Sequence, residues 1–125
     1  MNSGVAANNK AFINPDGYIE VLMVGDQTEE SFQKIYDLAK PLLDKLKSEG
    51  KPLLGLIDMS KEGSYSIASD KRALQLLEGI TYDKLAMCSA PHKAVAEGII
   101  MAMGRGNNTK IFDTRQEALA WLLGK

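Results

Sequence analysis

The residues of this chain that could do chemistry gather in two places. The first is the polar run Asp58-Met59-Ser60-Lys61-Glu62-Gly63-Ser64-Tyr65-Ser66, which follows the apolar stretch Leu53-Leu54-Gly55-Leu56-Ile57. Asp58 closes that stretch. Ser60, Ser64, Ser66 and Ser69 then follow within one loop and one helix start. A serine at a helix N-terminus is where an added phosphate is electrostatically tolerated, and where it alters a surface most. The simpler alternative is that Ser64 and Ser66 only cap the helix. The second place is Ser89-Ala90-Pro91-His92-Lys93. Here the free amides of a helix start, with Ser89, His92 and Lys93, form a possible anion site. The plainer alternative is a solvent-facing helix start.

Other chemistry has less to stand on. His92 is the one histidine and Cys88 the one cysteine, so a zinc site lacks its usual donors and no metal is expected. There is no Gly-x-Ser-x-Gly elbow for a nucleophilic serine. The glycine-rich stretch Met103-Gly104-Arg105-Gly106-Asn107 follows a helical pattern, whereas a phosphate-cradling loop precedes one. An enzyme would need Asp58, His92 and a serine in one cleft. The expectation is therefore a protein without catalytic activity, cofactor or metal.

Composition narrows the class further. The 125 residues fit one domain, and 45% hydrophobic with 25% charged residues is ordinary for a globular core. Formal net charge is -1, from 15 basic and 16 acidic residues, and offers no field for nucleic acid or an anionic membrane. No apolar run approaches the roughly 20 residues of a membrane span. The lone Cys88, within Leu85-Ala86-Met87-Cys88, fits a buried structural thiol and a reducing, cytoplasmic setting. Residues 1–10 are polar and read as a frayed tail, leaving 11–125 as the domain. A monomer or a weak homodimer is expected.

The elements that must position these residues alternate. Ala11–Asn14 and Gly17–Val24 read as two strands joined by the turn Asn14-Pro15-Asp16-Gly17. Thr28 is an N-cap, with Glu29 and Glu30 suited to a helix start. Phe32, Ile35, Ala39, Leu42 and Leu46 keep helical period, and Gly50 ends the run. Pro41 should kink this helix near Asp37–Lys40. Leu53–Ile57 reads as a strand buried on both faces. Ile67–Glu78 reads as a helix stopped by Gly79, and Tyr82–Cys88 as a weaker strand. Pro91 opens a third helix, which runs to Gly104. Thr109–Phe112 is a short strand. Thr114-Arg115-Gln116-Glu117 is a capping box for the last helix, whose Trp121 should pack on the sheet. The order β-β-α-β-α-β-α-β-α implies an α/β domain with a mixed, mostly parallel sheet flanked by four helices.

Three segments resemble the SpoIIAA-like branch of the STAS superfamily, the domains named for sulfate transporters and anti-sigma-factor antagonists. They are Gly25-Asp26-Gln27-Thr28-Glu29-Glu30 after the hairpin, Leu56-Ile57-Asp58-Met59-Ser60, and the closing Ile111-Phe112-Asp113-Thr114-Arg115-Gln116-Glu117-Ala118-Leu119-Ala120-Trp121-Leu122. The resemblance implies a binding module. Its antagonist members engage a protein partner and are switched by phosphorylation of a serine after this strand, within an Asp-Ser-Ser-Gly type signature. Here Gly63-Ser64-Tyr65-Ser66-Ile67-Ala68-Ser69-Asp70 keeps the serines without that order. Ser66 is then the foremost acceptor, with Ser64 and Ser69 behind it. The fold is also similar to that of CRAL-TRIO lipid-binding domains. That second likeness implies a carrier of a small hydrophobic or lipid-like ligand, lined by the helices Ile67–Gly79 and Ala94–Gly104.

Overall fold

The computed structural model describes residues 6–63, 82–90, 93–102 and 108–124. Five strands form one sheet in sequential order: β1 (Lys10–Ile13), β2 (Ile19–Gly25), β3 (Leu54–Glu62), β4 (Lys84–Cys88) and β5 (Thr109–Phe112). β1 and β2 are an antiparallel hairpin, and every later pairing is parallel. The described helices are α1 (Glu29–Ser48), α2 (Lys93–Ala102) and α3 (Arg115–Leu123). The expected helix over Ile67–Glu78 lies outside the described residues. No described helix is long and apolar enough to cross a membrane.

The strand order dictates the layers. The units β2–α1–β3 and β4–α2–β5 each step one strand further in the same direction, and right-handed crossovers of this kind place both helices on one face. Accordingly Ile35, Leu43 and Leu46 of α1 and Ile100 of α2 share a core with Ile19, Val21, Met23, Leu85, Met87 and Ile111. α3 follows the last strand and takes the opposite face. Its Ala118 and Leu122 pack with Tyr18, Leu56, Ala86 and Cys88. Alternation along each strand separates the two sets. The small Ala86 and Ala118 are both fully buried between sheet and α3.

Local chemistry sets the ends. Gly17, at φ +94, occupies the left-handed region, and its N–H donates to the Asn14 carbonyl at 2.9 Å. The Thr28 hydroxyl accepts the Ser31 N–H at 3.1 Å, and the Ser31 hydroxyl accepts the Thr28 N–H at 2.8 Å, a reciprocal cap. α1 runs through Pro41 without interruption, although proline brings no N–H for Asp37. Its C-cap is Glu49, and Gly50 follows at φ +70. Thr114 caps α3 by accepting the Glu117 N–H at 3.2 Å.

The structure corrects several boundaries. The frayed tail does not extend over residues 6–10. Ala6 bridges Asp26, the Asn8 N–H donates to the Val24 carbonyl, and Lys10 opens β1. Asn9 and the buried Gln27 exchange amide hydrogen bonds of 2.9 and 3.0 Å, which knits this segment to the α1 cap. β3 does not stop at Ile57. It continues to Glu62 because β2 still runs beside it, pairing Val24 with Lys61 and Gly25 with Glu62. β4 begins at Lys84, so the buried Tyr82 precedes the strand.

Gly55 shows how tightly this core is filled. A Cβ there would meet Tyr82 Cε1 at 2.6 Å and Leu85 Cδ1 at 3.1 Å. The Tyr82 ring is itself buried, so it has little room to yield. We expect Gly55→Ala to destabilise the fold by about 1–3 kcal/mol, seen as a lower urea midpoint. An unchanged midpoint would show that Tyr82 has space to move.

Candidate functional site at the carboxyl ends of the strands

The α3 face of the sheet carries a row of residues in register: Leu22 beside Asp58, Asp58 beside Cys88, Cys88 beside Phe112. One residue beyond it come Ser89 and Asp113. In a parallel sheet this edge, beyond the strand carboxyl ends, is the usual place for ligands. The next row toward the amino ends brings Glu20 beside Leu56.

Asp58 sits at a bulge. Between the pairs Leu22–Asp58 and Val24–Lys61, β3 contains one more residue than β2. The Asp58 Oδ1 accepts the Ser60 N–H at 2.9 Å, which serves a backbone donor at the irregularity. Its Oδ2 accepts from Arg115 Nη1 at 3.4 Å. Burial alone would raise the Asp58 carboxyl. The Ser60 backbone and hydroxyl, joined by the Arg115 charge, outweigh burial and hold it below its ordinary value of 3.8. Asp58 is thus an anion and an acceptor at neutral pH.

Arg115 reaches further, to Glu20. Glu20 is a charged residue in β2 with only 5% exposure. Its Oε1 accepts from Arg115 Nη2, from Asn14 Nδ2 at 3.2 Å and from the Tyr18 hydroxyl at 3.3 Å. The Arg115 side chain is 38% exposed, while the two carboxylates it binds are more deeply buried, so it lies over both. Its hydrogen bond to Glu20 raises the Arg115 pKa above its ordinary value, against the opposing effect of burial. The Tyr18 hydroxyl is raised by burial first and by the Glu20 charge second.

Neither Glu20 nor the role of Arg115 is announced by its sequence neighbours, among which Arg115 falls inside a capping box. Two signals were present. An acid at Glu20 shares its strand face with Tyr18 and Leu22. A cation at the first position of a helix opposes the macrodipole, so Arg115 serves something other than its helix.

Asp58, half-buried, and Ser60, exposed, lie together on β3. Ser89 stands at the end of β4 with φ +59, and its hydroxyl donates to the Asp113 carbonyl at 3.3 Å. Lys93 pairs with Asp113 at 3.2 Å, so its ammonium faces a carboxylate rather than open space for an anion. Ser64, Ser66, Ser69 and His92 lie outside the described residues, as does the glycine-rich stretch 103–107. Asp58, Ser60, Ser89 and Lys93 thus reach the same sheet edge.

The chemistry of this edge is acceptor chemistry. Cys88 is buried, and burial followed by the Asp58 charge pushes its thiol up to about 11, so it is not a ready nucleophile. Among the described residues no group of three His, Cys, Asp or Glu side chains is placed to hold a metal. Met101, on the helix α2 that the ligand-carrier reading used as a lining, is 69% exposed. Trp121 is half-buried on the sheet, 5.8 Å from Phe112, with the Lys84 and Lys110 ammonium groups at 5.1 and 5.5 Å.

The chain is similar to a solved structure, an uncharacterized protein of the DUF3478 family with a SpoIIAA-like fold from Shewanella loihica PV-4. The two share 20% identity over 98% of each chain, with a TM-score of 0.63. No protein-family model matches the chain, and no curated protein does. The fold is SpoIIAA-like, with the mixed five-strand sheet that the sequence resemblance implied.

The lowered Asp58 value gives a signed pH effect. A carboxylate held below its unfolded value adds stability above about pH 4, and loses it as pH falls through the folded value. The thermal midpoint of the native chain should therefore exceed that of Asp58→Asn at neutral pH, with the gap closing as the pH drops below 4. A gap that stays constant over that range would mean Asp58 is not held in this way.

Proposed function

We propose that the chain is a STAS-like binding or regulatory module without enzymatic activity. Its working face is the segment Asp58–Asp70, and its ligand is a protein partner. The observation that carries this reading is the presentation of Asp58. A SpoIIAA-like sheet delivers it, ionised, to the carboxyl-end edge, and its strand leads directly into the serine-bearing segment. Arg115 and Ser60 hold Asp58, while the neighbouring Cys88 is kept as a neutral thiol. This arrangement suits recognition better than bond making, since it offers a fixed acceptor and, among the described residues of this edge, no activated nucleophile.

The switch in this reading is phosphorylation of Ser66, with Ser64 and Ser69 as secondary acceptors. A phosphate there would add about two negative charges to the segment that Asp58 opens, at a single step. Incubation with ATP and cell extract, followed by intact-mass and fragment analysis, tests it. We expect phosphate on Ser66, lost in Ser66→Ala. Absence of phosphate anywhere in Asp58–Asp70 would overturn the switch.

A further inference from the structure

α3 is attached to the sheet differently from α1. Its fully buried apolar contribution is Ala118 and Leu122, from a helix of nine residues. α1 supplies Ile35, Ala39, Leu43 and Leu46 from twenty. A nine-residue helix is marginal on its own in water, so an α3 released from the sheet would also lose its helical form.

Charges hold α3 at both ends. Arg115, its first residue, is bound to Glu20 and Asp58 on two different strands. At the last turn the Lys84 ammonium lies over the Trp121 ring and donates to the Trp121 carbonyl at 3.3 Å. Lys110 approaches the same ring. The two faces of the sheet have separate cores, and among the described residues α3 is the helix of the second one. Beneath it lie Tyr18, Leu56, Ala86 and Cys88, all buried.

We infer that α3 is a lid that opens as a unit ahead of global unfolding, with Arg115 as its latch, and that its opening uncovers the apolar strip Tyr18–Leu56–Ala86–Cys88 beside Asp58. Lifting α3 breaks the smaller core and leaves the larger one intact, so the open state costs less than unfolding. The latch works because the closed state holds Arg115 in charged hydrogen bonds to Glu20 and Asp58 beneath it. An Arg115 that leaves gives up both charged partners, on two different strands, which favours reclosing. The opening stands on the packing alone. Its use in exposing an apolar strip to a partner rests on the binding function proposed above.

Cys88 reports on the lid without any engineered probe. Thiol labelling of the full chain by an aromatic disulfide reagent, across low urea concentrations, measures how often Cys88 is reached. Far-UV circular dichroism in the same urea series gives global unfolding. We expect labelling to exceed the rate that global unfolding allows by at least about tenfold, with a weaker urea dependence. Arg115→Gln should speed labelling by roughly tenfold or more while shifting the global midpoint less. If that variant does not fold, amide exchange of the native chain decides: α3 should exchange faster than the centres of α1 and β2. Labelling that tracks global unfolding, or α3 amides as protected as those of α1, would overturn the lid. Neither result depends on whether Ser66 is phosphorylated.

Discussion

A carboxylate buried in a strand governs much of this structure. Glu20 faces the α3 side of the sheet in a position where an isolated charge would be untenable. It is made tolerable by three donors: Arg115, Asn14 and Tyr18. Asn14 belongs to the hairpin turn and Tyr18 precedes β2. Arg115 arrives from the start of the last helix, 95 residues away in sequence. Satisfying one side chain therefore fixes the turn, the hairpin and the placement of α3 together. The same guanidinium leans on Asp58, and so the constraint on Glu20 also positions the acceptor at the edge of the sheet.

Such pairs are weak evidence for net stability, because desolvating both charges offsets much of their attraction. Their value lies in specificity. α3 has a modest apolar face, and apolar contact alone would let it slide over the smooth surface made by Leu56, Ala86 and Cys88. One directional contact to a buried acid removes that freedom. The cost is a helix whose seating depends on a polar contact that water can reach.

Much of the fold was legible because its signals are local. Thr28, Gly50 and Thr114 mark helix ends by backbone chemistry within a few residues of themselves, and the hairpin turn is written in Asn14-Pro15-Asp16-Gly17. The apolar run before Asp58 announced a central strand. What escaped was non-local. Ser60, Lys61 and Glu62 look like loop residues, and only the continuation of β2 alongside makes them strand. Asn9 and Gln27 look like tail and turn, yet each completes the other's amide. Glu20 and Arg115 lie 95 residues apart, and only the sheet, by placing α3 against β2, brings them together. The site was half legible for the same reason: Asp58 and Ser60 were visible from their place after an apolar run, while the residue that holds Asp58 was not.

Glu20 and Arg115 act as one unit, and a double-mutant cycle tests that most directly. Urea unfolding of the native chain, Glu20→Gln, Arg115→Gln and the double variant would give their coupling. We predict that the double variant is less destabilised than the sum of the singles, by roughly 1–3 kcal/mol, because the second change removes a charge that the first has left unpaired. Additive effects within about 0.5 kcal/mol would contradict this coupling and leave α3 seated without help from Glu20.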